Sequence, residues 1–403
     1  MTYPTKKIGE VCDVFADGDW VETKDQSDRG IRLIQTGNVG RLNYIDKVGR
    51  ARFITDKTFK RLNCTEIFPG DILISRLPDP VGRACILPKL GTRTITAVDC
   101  TIVRPNNKII IDKFFLYFTE SLDYYSQVNS KLSGTTRQRI SRSNLAEIKI
   151  SLPPLPIQKK IVKKIEELFG KINEAQKLRE EAQKDADALV PAALHQIFEK
   201  GKEKGWEEKT LEEVTFIQSG FGFPKEFQGR ENEKYPFLKV SDMNLPGNEL
   251  YITNYNNSVS DVDIKSYKYR TAPIGTVIFP KIGGAIATNK KRILTQESIY
   301  DNNVMGLIPF SNINSKFLFY WLSVFNLSNW AAGSSLPAIT QSRVSKTKIL
   351  LPTIPEQKKI VAYLDSLSEK ARKLQNLQKQ TAEDLKALKQ SILHKAFEGK
   401  LVK

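Results

Sequence analysis

Side chains that carry chemistry are scarce in these 403 residues, which include two histidines and four cysteines. Cys12, Cys64, Cys85 and Cys100 all fall in the first 150 residues without C-x-x-C spacing, so neither a zinc site nor a disulfide framework is supported. There is no G-x-x-x-x-G-K-[ST] phosphate loop, no G-x-G-x-x-G and no Asn-Pro-Pro-aromatic stretch. Glu147-x-Lys149 resembles half of a metal-dependent nuclease signature. Its one Pro-Asp candidate, Pro78-Asp79, lies far upstream, and the later Lys346-x-Lys348 replaces the acid. No run of eighteen apolar residues occurs, and the N-terminus lacks a secretory apolar core, so a reduced cytoplasm is expected. These absences argue against an enzyme, a metal site or a bound cofactor in this chain.

What is present is an internal repeat. LPPLPIQKKIV at Leu152–Val162 returns as LPTIPEQKKIV at Leu351–Val361, and LHQIFEK at Leu194–Lys200 returns as LHKAFEG at Leu393–Gly399. Across the two 49-residue windows nineteen positions are identical without a gap. An offset of 199, near half the chain, means one duplicated two-part unit rather than a solenoid. His195 and His394 occupy matching places in this repeat, near a helix end, which favours a structural over a catalytic role.

Proline-rich lead-ins suit the first turn of a helix, where the missing N–H costs nothing. Beyond them Ile161, Ile165, Leu168, Ile172, Ala175, Arg179, Ala182, Ala186, Leu189 and Ala193 fall at four-three spacing. The second copy offers Ile360, Leu364, Leu367, Ala371, Leu374, Gln378, Thr381, Leu385, Leu388 and Ile392. Such spacing predicts a coiled-coil seam on helices roughly 60 Å long, with Arg179 and Gln378 as a polar layer. Each stripe needs a partner, and the other copy, running antiparallel about a pseudo-twofold, is the expected one. Pro191 predicts a kink or restart in the first helix.

Segments 1–150 and 201–350 precede helical segments 151–200 and 351–403. The two large segments share the order of their elements more than their residues. Leu33–Val39 is echoed by Phe237–Met243, Gly70–Ile74 by Gly275–Phe279, Phe114–Phe118 by Phe317–Trp321, and Gly134–Ser141 by Gly333–Thr340. Short β-branched runs broken by Gly, Pro, Asn and Asp predict two α+β domains of one fold with divergent loops. Net charge is +17; segment 1–150 carries 24 basic against 17 acidic residues and segment 201–350 carries 18 against 14. Most of the excess therefore sits on the variable segments, which suits a polyanionic partner such as nucleic acid.

Paired L-P-x-[LI]-P-x-Q-K-K-I-V motifs, each followed by a coiled-coil helix and L-H-x-x-F-E, resemble the specificity subunit of type I restriction–modification enzymes over essentially the whole chain. The resemblance implies two target recognition domains, each reading one half of a bipartite site in double-stranded DNA. It implies that the antiparallel helices act as a ruler and dock two methyltransferase subunits, which bind S-adenosylmethionine. Restriction subunits, where present, would use ATP and Mg. Base edges are read mostly through Arg, Lys, Asn and Gln. The loop candidates are Arg76, Arg83, Arg93, Arg137, Gln138, Arg139 and Arg142 in the first domain. In the second they are Lys281, Lys290, Lys291, Arg292, Gln341, Arg343 and Lys346. The competing readings are a coiled-coil adaptor that does not read DNA and a chain that modifies DNA itself.

Overall fold

A computed structural model describes residues 3–402 apart from 202, 334 and 335. The chain divides into two compact units, Met1–Glu180 with Lys379–Lys403, and Glu181–Gln378. Each unit holds one α+β domain, the start of one long helix and the end of the other.

In the first unit a four-stranded antiparallel sheet runs Cys12–Asp17, Cys100–Pro105, Ile72–Ser75, Ala84–Ile86. A three-stranded sheet, Arg52–Ile54, Ile31–Ile34, Thr94–Thr96, has its second pair parallel. The second unit repeats the plan. Five strands run Thr215–Ser219, Val304–Pro309, Val277–Pro280, Arg292–Leu294, Tyr251–Ile252. Three more run Ser258–Val259, Tyr235–Leu238, Ile299–Tyr300, again with a parallel second pair. The aromatic segments form helices Asp112–Phe118 and Ser315–Val324, whose phenylalanines and leucines are buried against the larger sheets.

A two-stranded ladder closes each domain, pairing Thr5–Lys7 with Lys149–Ser151 and Glu207–Thr210 with Lys348–Leu351. The chain then passes straight into the long helices, Leu155–Glu199 and Ile354–Phe397. The glutamine of each repeated motif is fully buried at this junction. Gln158 donates through Nε2 to the carbonyls of Ile109 (3.0 Å) and Pro153 (2.9 Å), while its Oε1 accepts from Ile111 N (3.0 Å). Gln357 does the same with Asn312 O (3.1 Å), Pro352 O (2.9 Å) and Asn314 N (2.7 Å). One amide thus satisfies three backbone groups that the helix junction would otherwise bury unpaired.

The far end of the other helix completes each unit. Phe397 packs on Phe114 and Phe118 with ring centroids 5.1 and 5.4 Å apart, and Phe198 packs on Phe317 and Trp206 at 5.5 and 6.5 Å. Within the first unit Lys389 reaches Asn173 (2.8 Å) and Gln176 (3.1 Å); within the second Gln375 reaches Asp187 (2.7 Å). Later residues of one helix therefore meet earlier residues of the other, the antiparallel arrangement.

The seam departs from the expected spacing. Ile161, Ile165, Ile172 and Leu364 are buried, and Leu168, Ile360, Leu367 and Leu385 partly so. Leu189, Leu374 and Leu388 instead stand 41%, 36% and 47% exposed, and Val190, Gln375 and Lys389, one residue later, are partly buried. Two successive four-residue steps, Leu168–Ile172–Gln176 and Leu367–Ala371–Gln375, shift the phase at the same place in both copies. An α-helix drifts against a strict seven-residue repeat, and an added four-residue step absorbs the drift. Pro191 does not break the first helix, which continues through it to Glu199. The carbonyl-to-amide bond lost there is offset by packing of Leu194 and Phe198 into the core of the second unit.

Replacing Gln357 with Ala should orphan the buried Asn314 amide and two carbonyls, at about 3 kcal/mol in all. Denaturant unfolding should then lower the second unit's midpoint and leave the first unit's in place, with Gln158→Ala giving the mirror result.

Candidate nucleic-acid interface

Each unit lays a hairpin beside the loop that follows the strand at Ile72–Ser75 or Val277–Pro280. In the first unit Arg76 N donates to Asp99 O (2.9 Å) and Ile140 N donates to Arg76 O (3.3 Å). In the second, Lys281 N donates to Asn303 O and Ile339 N to Lys281 O, both at 2.8 Å. The first hairpin is closed by reciprocal 2.9 Å backbone bonds between Ser133 and Arg139. Gly134 turns it with φ +96, where a Cβ would meet Arg137 O at 2.6 Å, so only glycine fits. The second is closed by the pairs Ala331–Ile339 and Ala332–Ala338, and its Ser334 and Ser335 lie outside the described residues.

A short helix follows each hairpin, Arg142–Ala146 and Gln341–Ser345. Its first side chain reaches back to the same part of the sheet in both units. Arg142 Nη1 donates to Phe15 O (3.2 Å), and Gln341 Nε2 donates to Ile217 O (3.1 Å). Arg142 also lies 3.4 Å from the Asp17 carboxylate.

The fourteen candidate residues separate by what already holds them. Arg137, Gln138 and Arg139 stand together, exposed on the first hairpin, and their side chains make no hydrogen bond or ion pair among the described residues. Lys346 is likewise exposed; Arg343 is exposed with Nη1 on Ala331 O (3.0 Å). Lys281 is half-buried at the inner edge of the second hairpin.

The others are already engaged within the fold. Arg83 is buried, and its guanidinium donates to the carbonyls of Thr36, Val39, Leu77 and Pro80. It ties two loops together and cannot also grip a phosphate. Lys291 is buried with Nζ on Phe325 O (2.9 Å). Arg292 donates to Met243 O (2.8 Å) and Lys291 O (2.6 Å), and Lys290 to Asn244 Oδ1, so both hold the loop after Tyr235–Leu238. Arg76 is largely buried between Val98 O and Asp17. Arg93 is neutralised by Asp56 (2.7 Å) and Glu66 (2.9 Å) and covers the Phe59 ring. A basic residue in a loop is a contact candidate only if its carbonyl and carboxylate neighbours leave it free, and sequence does not show those neighbours. One residue passed over is Lys239, which is aligned with Gln35 in the echoed segments and has no carboxylate within ion-pair distance among the described residues.

The remaining polar features are structural. Glu147 pairs with Lys7 at 2.7 Å, which accounts for the nuclease-like Glu-x-Lys. His195 and His394 each sit one turn from a glutamate, Glu199 (3.0 Å) and Glu398 (3.2 Å). All four cysteines are unpaired, and burial pushes the Cys12 and Cys85 thiols up to about 12. Among the described residues no cluster of three or more His, Cys, Asp or Glu could hold a metal, and no helix is long and apolar enough to cross a membrane.

Two copies of one domain, each joined to a long helix by a buried glutamine and each offering a hairpin edge with different side chains, define a duplicated recognition scaffold. The family model for the type I restriction modification DNA specificity domain matches twice, over residues 2–183 and 203–383, and the chain belongs to this family. Among its relatives, the putative type I restriction enzyme MjaX specificity subunit of Methanocaldococcus jannaschii is 24% identical, over 99% of this chain and 93% of the relative. The type I restriction enzyme EcoKI specificity subunit of Escherichia coli is 21% identical over 75% of this chain and 68% of the relative. The fold is that of the HsdS subunit from Thermoanaerobacter tengcongensis, with TM-score 0.67 and 24% identity over 99% and 97% of the two chains. A chain from a type I R-M system, solved to explain complex assembly and conformational transition, gives 0.79 at 22% identity over 99% and 98%.

Burial pushes the Lys291 ammonium down to about 8 from 10.5. Between those values the unfolded chain binds the proton and the folded one does not, so this group makes stability rise with pH there. Unfolding of the second unit, followed from pH 7 to 11, should show that rise, and Lys291→Met should flatten it.

Proposed function

We propose that this chain is the DNA-specificity subunit of a type I restriction–modification complex, each domain reading one half of a bipartite target. The observation that carries the reading is the pair of hairpin edges: one backbone arrangement, built twice, with unlike side chains on it. A duplicated scaffold keeps the geometry of approach to the duplex, while divergent loops change which bases are read. The long helices fix the spacing between the half-sites. They also dock two methyltransferase subunits, which carry S-adenosylmethionine, and the ATP and Mg chemistry belongs to restriction subunits where these are present. The chain itself is a non-catalytic cytoplasmic recognition component.

Support for helix docking comes from leucines that the seam leaves outside. Leu178 and Leu388 in the first unit are 60% and 47% exposed, and Leu189 in the second, the repeat mate of Leu388, is 41% exposed. Exposed leucines at matching places on both copies suit a partner that binds twice. Leu178→Glu with Leu388→Glu should cut co-purification of a methyltransferase subunit while leaving the fold intact.

The direct test is methylome sequencing of cells expressing this chain with its methyltransferase, beside cells lacking this chain. A bipartite methyladenine motif that depends on the chain is the expected result; an active methyltransferase without such a motif overturns the reading. Arg137→Ala with Arg139→Ala should weaken binding of the complex at one half-site and, since each removes a cation from the DNA interface, reduce the slope of log affinity against log salt by up to about 2. An unchanged slope would remove the first hairpin from the interface.

A further inference from the structure

The two hairpins differ in a way that the shared scaffold does not require. The first presents Arg137, Gln138 and Arg139, whereas Gly333–Thr340 contains no ionisable residue at all. Charged donors to base edges in the second domain therefore come from outside this segment. A cavity of about 610 Å³ opens in the second unit between Phe223, Lys225, Gln228, Lys239 and residues Asp301–Asn303. It adjoins the hairpin edge, because Asn303 O is the acceptor for Lys281 N, whose own carbonyl accepts from Ile339.

Two lysines line the cavity; Lys225 is exposed, and Lys239 is the one whose ammonium is held in place. Lys239 follows the strand Tyr235–Leu238, and its backbone N donates to Asp242 Oδ2 (2.7 Å). Its Nζ sits 4.1 Å from the Phe223 ring centroid and donates to Gln228 Oε1 (2.9 Å). That leaves two of three ammonium donors without an assigned acceptor. The buried Asp301 carboxylate attracts the ammonium from beyond ion-pair distance and accepts its own hydrogen bonds from Asn303 N (3.1 Å) and Nδ2 (2.9 Å). Asn302 beside it is exposed and makes no side-chain hydrogen bond among the described residues. A surface lysine usually extends into solvent. Here an aromatic face and an amide hold the ammonium in place, which lowers the entropy lost on forming further bonds.

We propose that Lys239 is a specificity-determining residue of the second domain, donating to the O6 and N7 acceptors of a guanine, with Asn302 contacting the neighbouring pair. This rests on the DNA-specificity reading above. Guanine is the base whose major-groove edge carries two adjacent acceptors, the natural target for a donor-only side chain. In the first domain the matching residue is Gln35, and the Arg-bearing hairpin supplies the donors instead. The two half-sites are therefore read by different parts of one fold.

The test uses the complete chain with its methyltransferase in cells and reads the methylome. Wild type should give a bipartite motif with an invariant guanine in one half. Lys239→Met keeps the stem over Phe223 and removes the donors. It should lower discrimination at that one position by about tenfold or more, leaving the other half-site unchanged. Asn302→Ala should relax the same half, and Arg137→Ala with Arg139→Ala should affect only the other. Methylation that falls evenly across all sites with an unaltered motif would show that Lys239 grips a phosphate, and would overturn the assignment. An unaltered motif at full extent would overturn it as well. A wild-type complex with no motif would instead sink the specificity reading, and this inference with it.

Discussion

The structure depends on two buried amides. Gln158 and Gln357 sit where a domain ends and a long helix begins, and each closes three backbone hydrogen bonds in a place that excludes water. A helix start leaves several N–H groups unpaired, and a domain edge leaves carbonyls unpaired. Joining the two without a polar mediator would bury both sets. Glutamine is suited to the task because one side chain both donates and accepts over a long reach. Glutamate would face two carbonyls with acceptors only, and leucine would satisfy none of the three groups. With the amide in place, domain and helix start are held as one body, so the direction of the helix is set by the domain's sheets.

This explains which parts were legible in the sequence. The repeated P-x-Q-K-K-I-V motif is a packing requirement met twice, so it returns almost letter for letter. Phe198 and Phe397 recur for the same reason, each filling an aromatic pocket in the unit where its helix ends. Domain order could be read from echoed strands, since β-branched runs and aromatic helices answer to core packing. The heptad phase could not be followed as far. Leucine at 189, 374 and 388 satisfies the pattern by type, yet helix geometry places Val190, Gln375 and Lys389 toward the partner. In the second copy the polar Gln375 and Lys389 hid the shift.

The basic residues were the least legible. Arg83, Lys291 and Arg292 share composition and loop position with Arg137 and Arg139, but carbonyl oxygens brought from distant loops surround the first three. Their role is set by neighbours 34 to 49 residues away, or by a turn geometry that no local pattern records. Each tether fixes a loop that follows a strand, and so shapes the interface without touching a ligand. Net charge counted over a domain therefore overstates the charge available to a polyanion.

A duplicated fold constrains how recognition can diverge. Residues that hold the loops are shared obligations: Arg83 in one domain, Lys290 and Arg292 in the other, each securing the segment after an equivalent strand. Changing them would loosen every loop at once. The hairpin tips and the residue after the strand, Gln35 or Lys239, carry no such obligation, because their backbones are already fixed by ladder bonds and by the capping side chains of Asn38 and Asp242. Side chains there can vary without moving the scaffold. Divergence is thus channelled to positions whose backbone is determined by others, and those positions face the edge where the hairpins lie.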